Sequence, residues 1–147
     1  MSIPDLQSFG FDQDYQAVYD LAYRYARDEL YELSEKMDSG DWFPENEFRA
    51  IAEQGLLGVT VPEEYGGAGL DVLAQCFISE AVAYWNHSIS ASMLASDNLC
   101  ADNIVRNANE DQKRTYLPGF CDGSLIGALG MTEPGAGSDA LGSMATT

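Results

Sequence analysis

Asp12-Gln13-Asp14-Tyr15-Gln16-Ala17-Val18-Tyr19-Asp20-Leu21-Ala22-Tyr23-Arg24-Tyr25-Ala26-Arg27-Asp28-Glu29-Leu30-Tyr31-Glu32-Leu33-Ser34-Glu35-Lys36-Met37 carries the pattern that decides the fold. Tyr15, Val18, Tyr19, Ala22, Ala26, Leu30 and Leu33 recur mostly at steps of three and four, which places them on one face of a long amphipathic helix. Asp14, Asp20, Arg24, Arg27, Asp28, Glu32 and Glu35 fall mainly off that stripe, and Gly40 stands near the expected stop. A helix this long with one apolar face needs other helices to cover it.

The residues after Gly40 supply them. Pro44 suits a helix start because its missing N–H would be unpaired there anyway. Glu45 and Glu47 occupy the first turn, Phe48, Ile51 and Ala52 form an inner face, and Gly55 is a fitting residue just past the end. Pro62 to Gly69 is a loop by composition. Asp71 is an N-cap for a helix over 72–84, with Ala74, Phe77, Ile78, Ala81 and Val82 inward. Small residues between Ser88 and Ser96 fit a short helix. Asp97 is expected to cap a further one over 98–106. Asn109 with Gln112 has the form of a capping box opening a last helix toward Leu117.

The character changes after Gly123. Leu125-Ile126-Gly127-Ala128-Leu129-Gly130-Met131 is apolar with no polar helical face and reads as a buried strand. Glu133 to Asp139 must then be a turn. The chain therefore divides into a helical domain over 1–123 and the beginning of a second, β-type unit over 124–147. A single strand cannot pair its own backbone groups, so the expectation is that partner strands lie outside these 147 residues.

Composition narrows the function classes. Apolar residues make up 46% of the chain, as in a globular protein, and 24 Asp plus Glu stand against 7 Lys plus Arg. The basic residues are scattered, so neither nucleic acid nor an anionic membrane surface is an expected partner. Cys76, Cys100 and Cys121 are widely spaced and not clustered with the lone His87, which argues against a metal site and for buried free thiols. Met1 to Asp5 lacks the basic and apolar stretches of a signal peptide. No run approaches the length of a membrane span. The expected location is cytoplasmic.

Chemistry concentrates in Met131-Thr132-Glu133-Pro134-Gly135-Ala136-Gly137-Ser138-Asp139. Glycines let a backbone approach a ligand, exposed amides bind anions, and Thr132 and Ser138 add hydroxyl donors. The run is not a P-loop, because no Gly-Lys-Ser/Thr comes after it, and it lacks the third glycine of a dinucleotide fingerprint. Composition alone leaves a plain turn as the simpler reading.

Thr132 to Asp139 resembles the TEPxAGSD signature of the acyl-CoA dehydrogenase family at every fixed position. Pro62-Glu63-Glu64-Tyr65-Gly66-Gly67 resembles the PEEYGG loop of that family. Gln112-Lys113 with Tyr116-Leu117-Pro118 resembles its QKxxYLP helix, and Asp122-Gly123 followed by Ile126-Gly127-Ala128 resembles the lead-in to its first middle-domain strand. The stretch Asp97-Asn98-Leu99-Cys100 with Ile104-Val105-Arg106-Asn107 is most similar to the isovaleryl-CoA branch.

The resemblance implies an all-α N-terminal helical domain ending in the start of a β-domain. It implies an FAD enzyme that oxidises an acyl-CoA to the trans-2-enoyl-CoA, with a glutamate removing the α-proton and hydride passing to flavin. Electron-transferring flavoprotein would take the electrons, and the assembly would be a homotetramer. Residue by residue, Leu129, Gly130, Met131, Thr132, Gly137 and Ser138 would contact FAD, Thr132 at the ring and Gly137 and Ser138 at the pyrophosphate. Met131 would lie beside the acyl thioester, Ser138 by the pantetheine arm, and Leu99 at the boundary of the acyl pocket, although Leu99 reads equally well as core.

The family's catalytic glutamate lies in a C-terminal bundle, and no residue here matches it. Glu133 matches a position beside the flavin, Glu63 and Glu64 read as solvated, and His87 reads as structural. No catalytic residue is assigned, and the chain by itself is expected to be inactive. Two other readings stand beside this one: a helical module that binds a partner, and a short subunit completed by a second polypeptide.

Overall fold

A computed structural model describes residues 3–40 and 42–146, with Leu141 described by its backbone only. The readings that involve Met1, Ser2 and Thr147 lie outside these residues. Described residues form α1 (Gln13–Tyr25), α2 (Leu33–Ser39), α3 (Glu45–Glu53), α4 (Val72–Trp85), α5 (His87–Leu94), α6 (Asp102–Asn107), α7 (Glu110–Cys121) and the single turn α8 (Ala140–Ser143). Ala26–Leu30 and Ala95–Ala101 are π turns.

The periodic stretch over 12–37 is helical, and its predicted stripe is the buried one. Tyr19, Ala22, Ala26 and Leu30 are buried, joined by Tyr23. It is not one regular helix, because the π turn interrupts it after Tyr25. The amide of Ser34 turns to the Tyr31 carbonyl at 3.2 Å. The Leu30 carbonyl instead accepts from the side-chain amide of Asn86 at 2.9 Å.

α1 packs along α4. The hydroxyl of Tyr15, near the start of α1, donates to Asp71 at the start of α4 at 2.6 Å. Ring contacts then climb both helices together: Tyr15 and Tyr19 meet Phe77, and Tyr23 and Tyr31 meet Trp85. The two helices therefore run in the same direction. Near the start of α1, the Gln16 side chain ties down the N-terminal strap by accepting from the Leu6 amide and donating to the Pro4 carbonyl.

Several local signals act as expected. Asp71 accepts from the Ala74 amide at 2.9 Å. Asn109 and Gln112 bond each other's backbone amides at 2.9 and 3.0 Å, which completes the capping box. Gly55 takes φ +71 and donates to Ala52 while Leu56 donates to Ile51, the paired bonds that close a helix C-terminus in a Schellman motif. Pro44 is the cap of α3 rather than its first helical residue.

Three expectations are corrected. Asp97 caps nothing: backbone from His87 to Asn107 stays helical through the second π turn, and its carboxylate lies inside the protein. The cysteines are free but not buried, Cys76 being exposed and Cys100 and Cys121 intermediate. Leu125–Met131 is not a buried strand. It runs irregular and largely exposed, because no other described segment offers it a ladder partner and an unpaired extended backbone is left to water.

The main core gathers Leu30, Phe48, Ile51, Leu56, Ile78 and Met93. A smaller cluster of Val61, Tyr65, Ala101, Leu117 and Phe120 packs α7 onto the loop after Val61. In that loop Gly67 admits no side chain, since a Cβ would stand 2.1 Å from the Val61 carbonyl oxygen. Tyr65 fixes the loop to α7 by donating to Glu110 at 2.8 Å.

Asn86, 1% exposed, caps α5 through the Ile89 amide and serves the Leu30 carbonyl at the same time. Asn86→Ala is expected to cost about 2–4 kcal/mol, a lost cap plus an orphaned buried carbonyl. In urea unfolding the midpoint should fall with the slope unchanged.

Candidate functional site

The chain leaves α7 through a fixed elbow. Asp122 accepts from the Ser124 amide at 2.8 Å, and its bonds to Ser124 hold its carboxyl below the usual range. Gly123 takes φ +71, and a Cβ there would stand 2.7 Å from the Phe48 carbonyl oxygen, so only glycine lets the chain turn this close to α3. Leu125 then donates back to the Gly119 carbonyl at 2.8 Å.

The second π turn holds the next stretch of chain. The Gly127 amide donates to the buried Ser96 hydroxyl at 3.0 Å. A Cβ on Gly127 would fall 2.5 Å from Cys100 Cβ and 2.9 Å from a ring carbon of Phe120. Beside this contact lies a groove of about 520 Å³, lined by Phe43, Arg49, Ser92, Ala95, Ile126 and Ala128 among others.

From Leu129 onward the chain stands at the surface. Leu129 is 45% and Met131 50% exposed, and Gly130, Thr132, Gly137 and Ser138 are exposed as well. Glu133 and Ala136 exchange two backbone hydrogen bonds at 2.9 and 3.1 Å, so a tight turn over Glu133–Ala136 opens the stretch expected to turn, Glu133 to Asp139. Those bonds consume the amides of Glu133 and Ala136 and leave those of Gly137 and Ser138 outside the pair. Nothing stands within 4 Å of a Cβ placed on Gly130, Gly135 or Gly137, so no described neighbour requires these to be glycine. The Thr132 and Ser138 hydroxyls make no hydrogen bond among the described residues.

The Glu133 carboxylate accepts from the Thr146 hydroxyl and from the Ala145 and Thr146 amides, and these bonds hold its pKa below the usual range. A carboxylate so engaged is a poorer proton acceptor than a free one. Glu63 and Glu64 are exposed, as is His87 at the first position of α5. Leu99, 48% exposed, belongs to the π turn whose Ser96 and Cys100 hold Gly127. The structure thus ties the Leu99 turn to the segment that leads into Leu129–Ser138 through those two neighbours.

Sequence reasoning misplaced Asp97 as a helix cap; it is 2% exposed. One carboxylate oxygen accepts from the Gly58 amide at 3.0 Å, while the other is buried without a partner. Burial pushes its pKa up to about 7, against the opposing pull of the Gly58 and Val59 amides. Its pattern, a lone acid after a run of small residues, is also that of a helix cap, which is why it misleads.

The residues 12–124 match the acyl-CoA dehydrogenase N-terminal domain model. A mitochondrial isovaleryl-CoA dehydrogenase of Solanum tuberosum is 38% identical over 133 residues, which cover 89% of this chain and 32% of the relative. A mitochondrial 2-methylacyl-CoA dehydrogenase of the same organism is 37% identical over 80% of this chain and 29% of its own. Among solved structures, an acyl-CoA dehydrogenase from Bacillus anthracis complexed with FAD superposes with a TM-score of 0.83 at 32% identity, over 90% of this chain and 23% of that one. The helical fold and these matches define an acyl-CoA dehydrogenase N-terminal domain, and the chain belongs to the acyl-CoA dehydrogenase family. It spans about a third of the length of the curated relatives it matches. No helix among the described residues is long and apolar enough to cross a membrane.

Two outcomes are expected. Gly127→Ala should lose the Ser96 bond and destabilise by roughly 1–3 kcal/mol through overpacking against Cys100 and Phe120, measurable by thermal unfolding. For Asp97, a raised folded pKa means the neutral acid is the better-accommodated form. The stability it allows is fully present below about pH 4 and is lost as pH rises toward 7. Asp97→Asn, a neutral mimic, should therefore be the more stable protein by roughly 1–3 kcal/mol at pH 8. That gap should close below pH 4, as read by urea unfolding at both pH values.

Proposed function

We propose that this chain supplies the helical domain, residues 1–123, and the flavin-contacting turn, within 124–147, of an FAD-dependent acyl-CoA dehydrogenase. The reaction is conversion of a short or branched acyl-CoA to the trans-2-enoyl-CoA. The observation that supports it most directly is the turn itself: three glycines facing open space, two unpaired hydroxyls and two uncommitted amides, clustered between Gly130 and Ser138. That donor set fits a flavin, which offers ring carbonyls to a hydroxyl and a pyrophosphate to backbone amides.

FAD bound here would accept the hydride removed from the acyl chain. Thr132 would hold the ring by its hydroxyl, and a donor there would favour the reduced form, whose pyrimidine side carries more negative charge, as well as binding. Gly137 and Ser138 would hold the pyrophosphate, and Leu129, Gly130 and Met131 would line the approach. Met131 would lie beside the acyl thioester and Ser138 by the pantetheine arm, while Leu99 would bound the acyl end. The proton acceptor comes from outside these residues, which leaves the chain by itself inactive. Electron-transferring flavoprotein serves as electron acceptor and a homotetramer as the assembly. The compartment is the cytoplasm, where three free thiols stay reduced. The isovaleryl- and 2-methylacyl-CoA relatives support a branched substrate.

The test is to purify the protein that carries this chain, record its flavin absorbance, and follow reduction by isovaleryl-CoA against straight-chain acyl-CoAs. Bound FAD and preferential reduction by the branched thioester are expected. Thr132→Val should weaken FAD binding roughly tenfold, the scale of one hydrogen bond. Absence of flavin in the purified protein and after reconstitution would overturn the proposal.

A further inference from the structure

The π turn Ala95–Ala101 makes two hydrogen bonds to distant parts of the chain from adjacent residues. Asp97 reaches toward the core side and accepts from the Gly58 amide at 3.0 Å. Ser96 accepts from the Gly127 amide at 3.0 Å, and Cys100, four residues on, stands directly under the Gly127 backbone. Ser96 and Asp97 are 1% and 2% exposed. One buried helical turn therefore fastens the Leu56–Val61 loop and the segment entering the Leu129–Ser138 turn, with no flexible element between the two fastenings.

We infer that Asp97 is a positioning residue whose protonation sets how firmly this turn holds Gly127, and so how firmly it holds the segment that leads to the functional turn. The coupling stands on Asp97, Ser96 and Gly127 alone. Only its consequence for flavin rests on the function proposed above.

The geometry gives the direction. The second oxygen of Asp97 is buried without a partner, so the ionised carboxylate is under-compensated. Charged groups on the packed elements do not relieve it. On α6, Asp102 and Arg106 pair with each other at the surface at 2.6 Å. On α7, Glu110 engages Lys113 and Arg114. His87, at the far end of α5, is exposed. The group that faces Asp97 from α7 is the Cys121 thiol, which burial pushes up to about 11, so it remains neutral. An opening that lets water reach Asp97 returns its carboxyl to the ordinary range, and such openings become more frequent as pH rises from about 4 and level off above about 7.

Hydrogen exchange followed by mass spectrometry reads this on the complete protein, with protection corrected for the intrinsic rate at each pH from 5 to 9. Peptides covering residues 55–60 and 124–129 should both lose protection by up to about tenfold per pH unit between 5 and 7 and then hold level. Asp97→Asn should flatten both profiles. Ser96→Ala should leave the dependence at 55–60 and abolish it at 124–129. A dependence at 55–60 with none at 124–129 in the unaltered protein would overturn the coupling, and persistence of both in Asp97→Asn would overturn the role of Asp97. The readout needs no flavin, so failure to bind FAD would sink the proposed function and leave this inference to stand or fall by the exchange profiles.

Discussion

The side-chain amide of Asn86 holds the helical domain at its busiest point. It sits where α4 ends and α5 begins, caps α5 through Ile89, and reaches across to the Leu30 carbonyl in the first π turn. That carbonyl is buried within the main core, where an unpaired backbone oxygen would cost far more than a single hydrogen bond contributes. The irregularity in the first rod and the sharp reversal between α4 and α5 are thus two halves of one solution. With both in place, the aromatic side chains of α1 and α4 meet in register, and α5 delivers the second π turn to the Gly127 segment.

Most of the helical domain is legible in the sequence because its information is local. The stripe from Tyr15 to Leu33, the Asp71 cap, the Asn109–Gln112 box and Gly55 after α3 each act within a few residues, and each appears where spacing places it. The departures are where a distant partner decides. Nothing near Leu30 announces that its carbonyl will be served from residue 86, so the π turn reads as regular helix. Asp97 looks like a cap in one dimension and is a buried carboxylate in three, because its partner is Gly58.

The Glu133–Ala136 turn is legible in a different way. Physics alone allows no more than a glycine-containing turn, and the structure agrees that Glu133–Ala136 is one. What raises it above that is the ordered resemblance of four motifs. The strand expected before it fails for a reason already present in the residue pattern: Leu125–Met131 has the apolar composition of an interior strand and no neighbour among the described residues to pair with. Its apolar side chains lie largely open while its beginning is held firmly at Gly123 and Gly127, so the helical domain sets the point and direction from which the turn departs.

The shared direction of α1 and α4 has an electrostatic consequence. Antiparallel neighbours set opposite helix poles side by side and cancel part of each other's field, whereas these two bring both of their positive poles to the same edge of the domain. Asp12, Asp14 and Asp71 stand at that edge. In a chain with net charge −17, three carboxylates gathered in one place would ordinarily repel. Here they offset the amides of two helix starts, and the acid excess becomes part of what allows two helices to lie side by side pointing the same way.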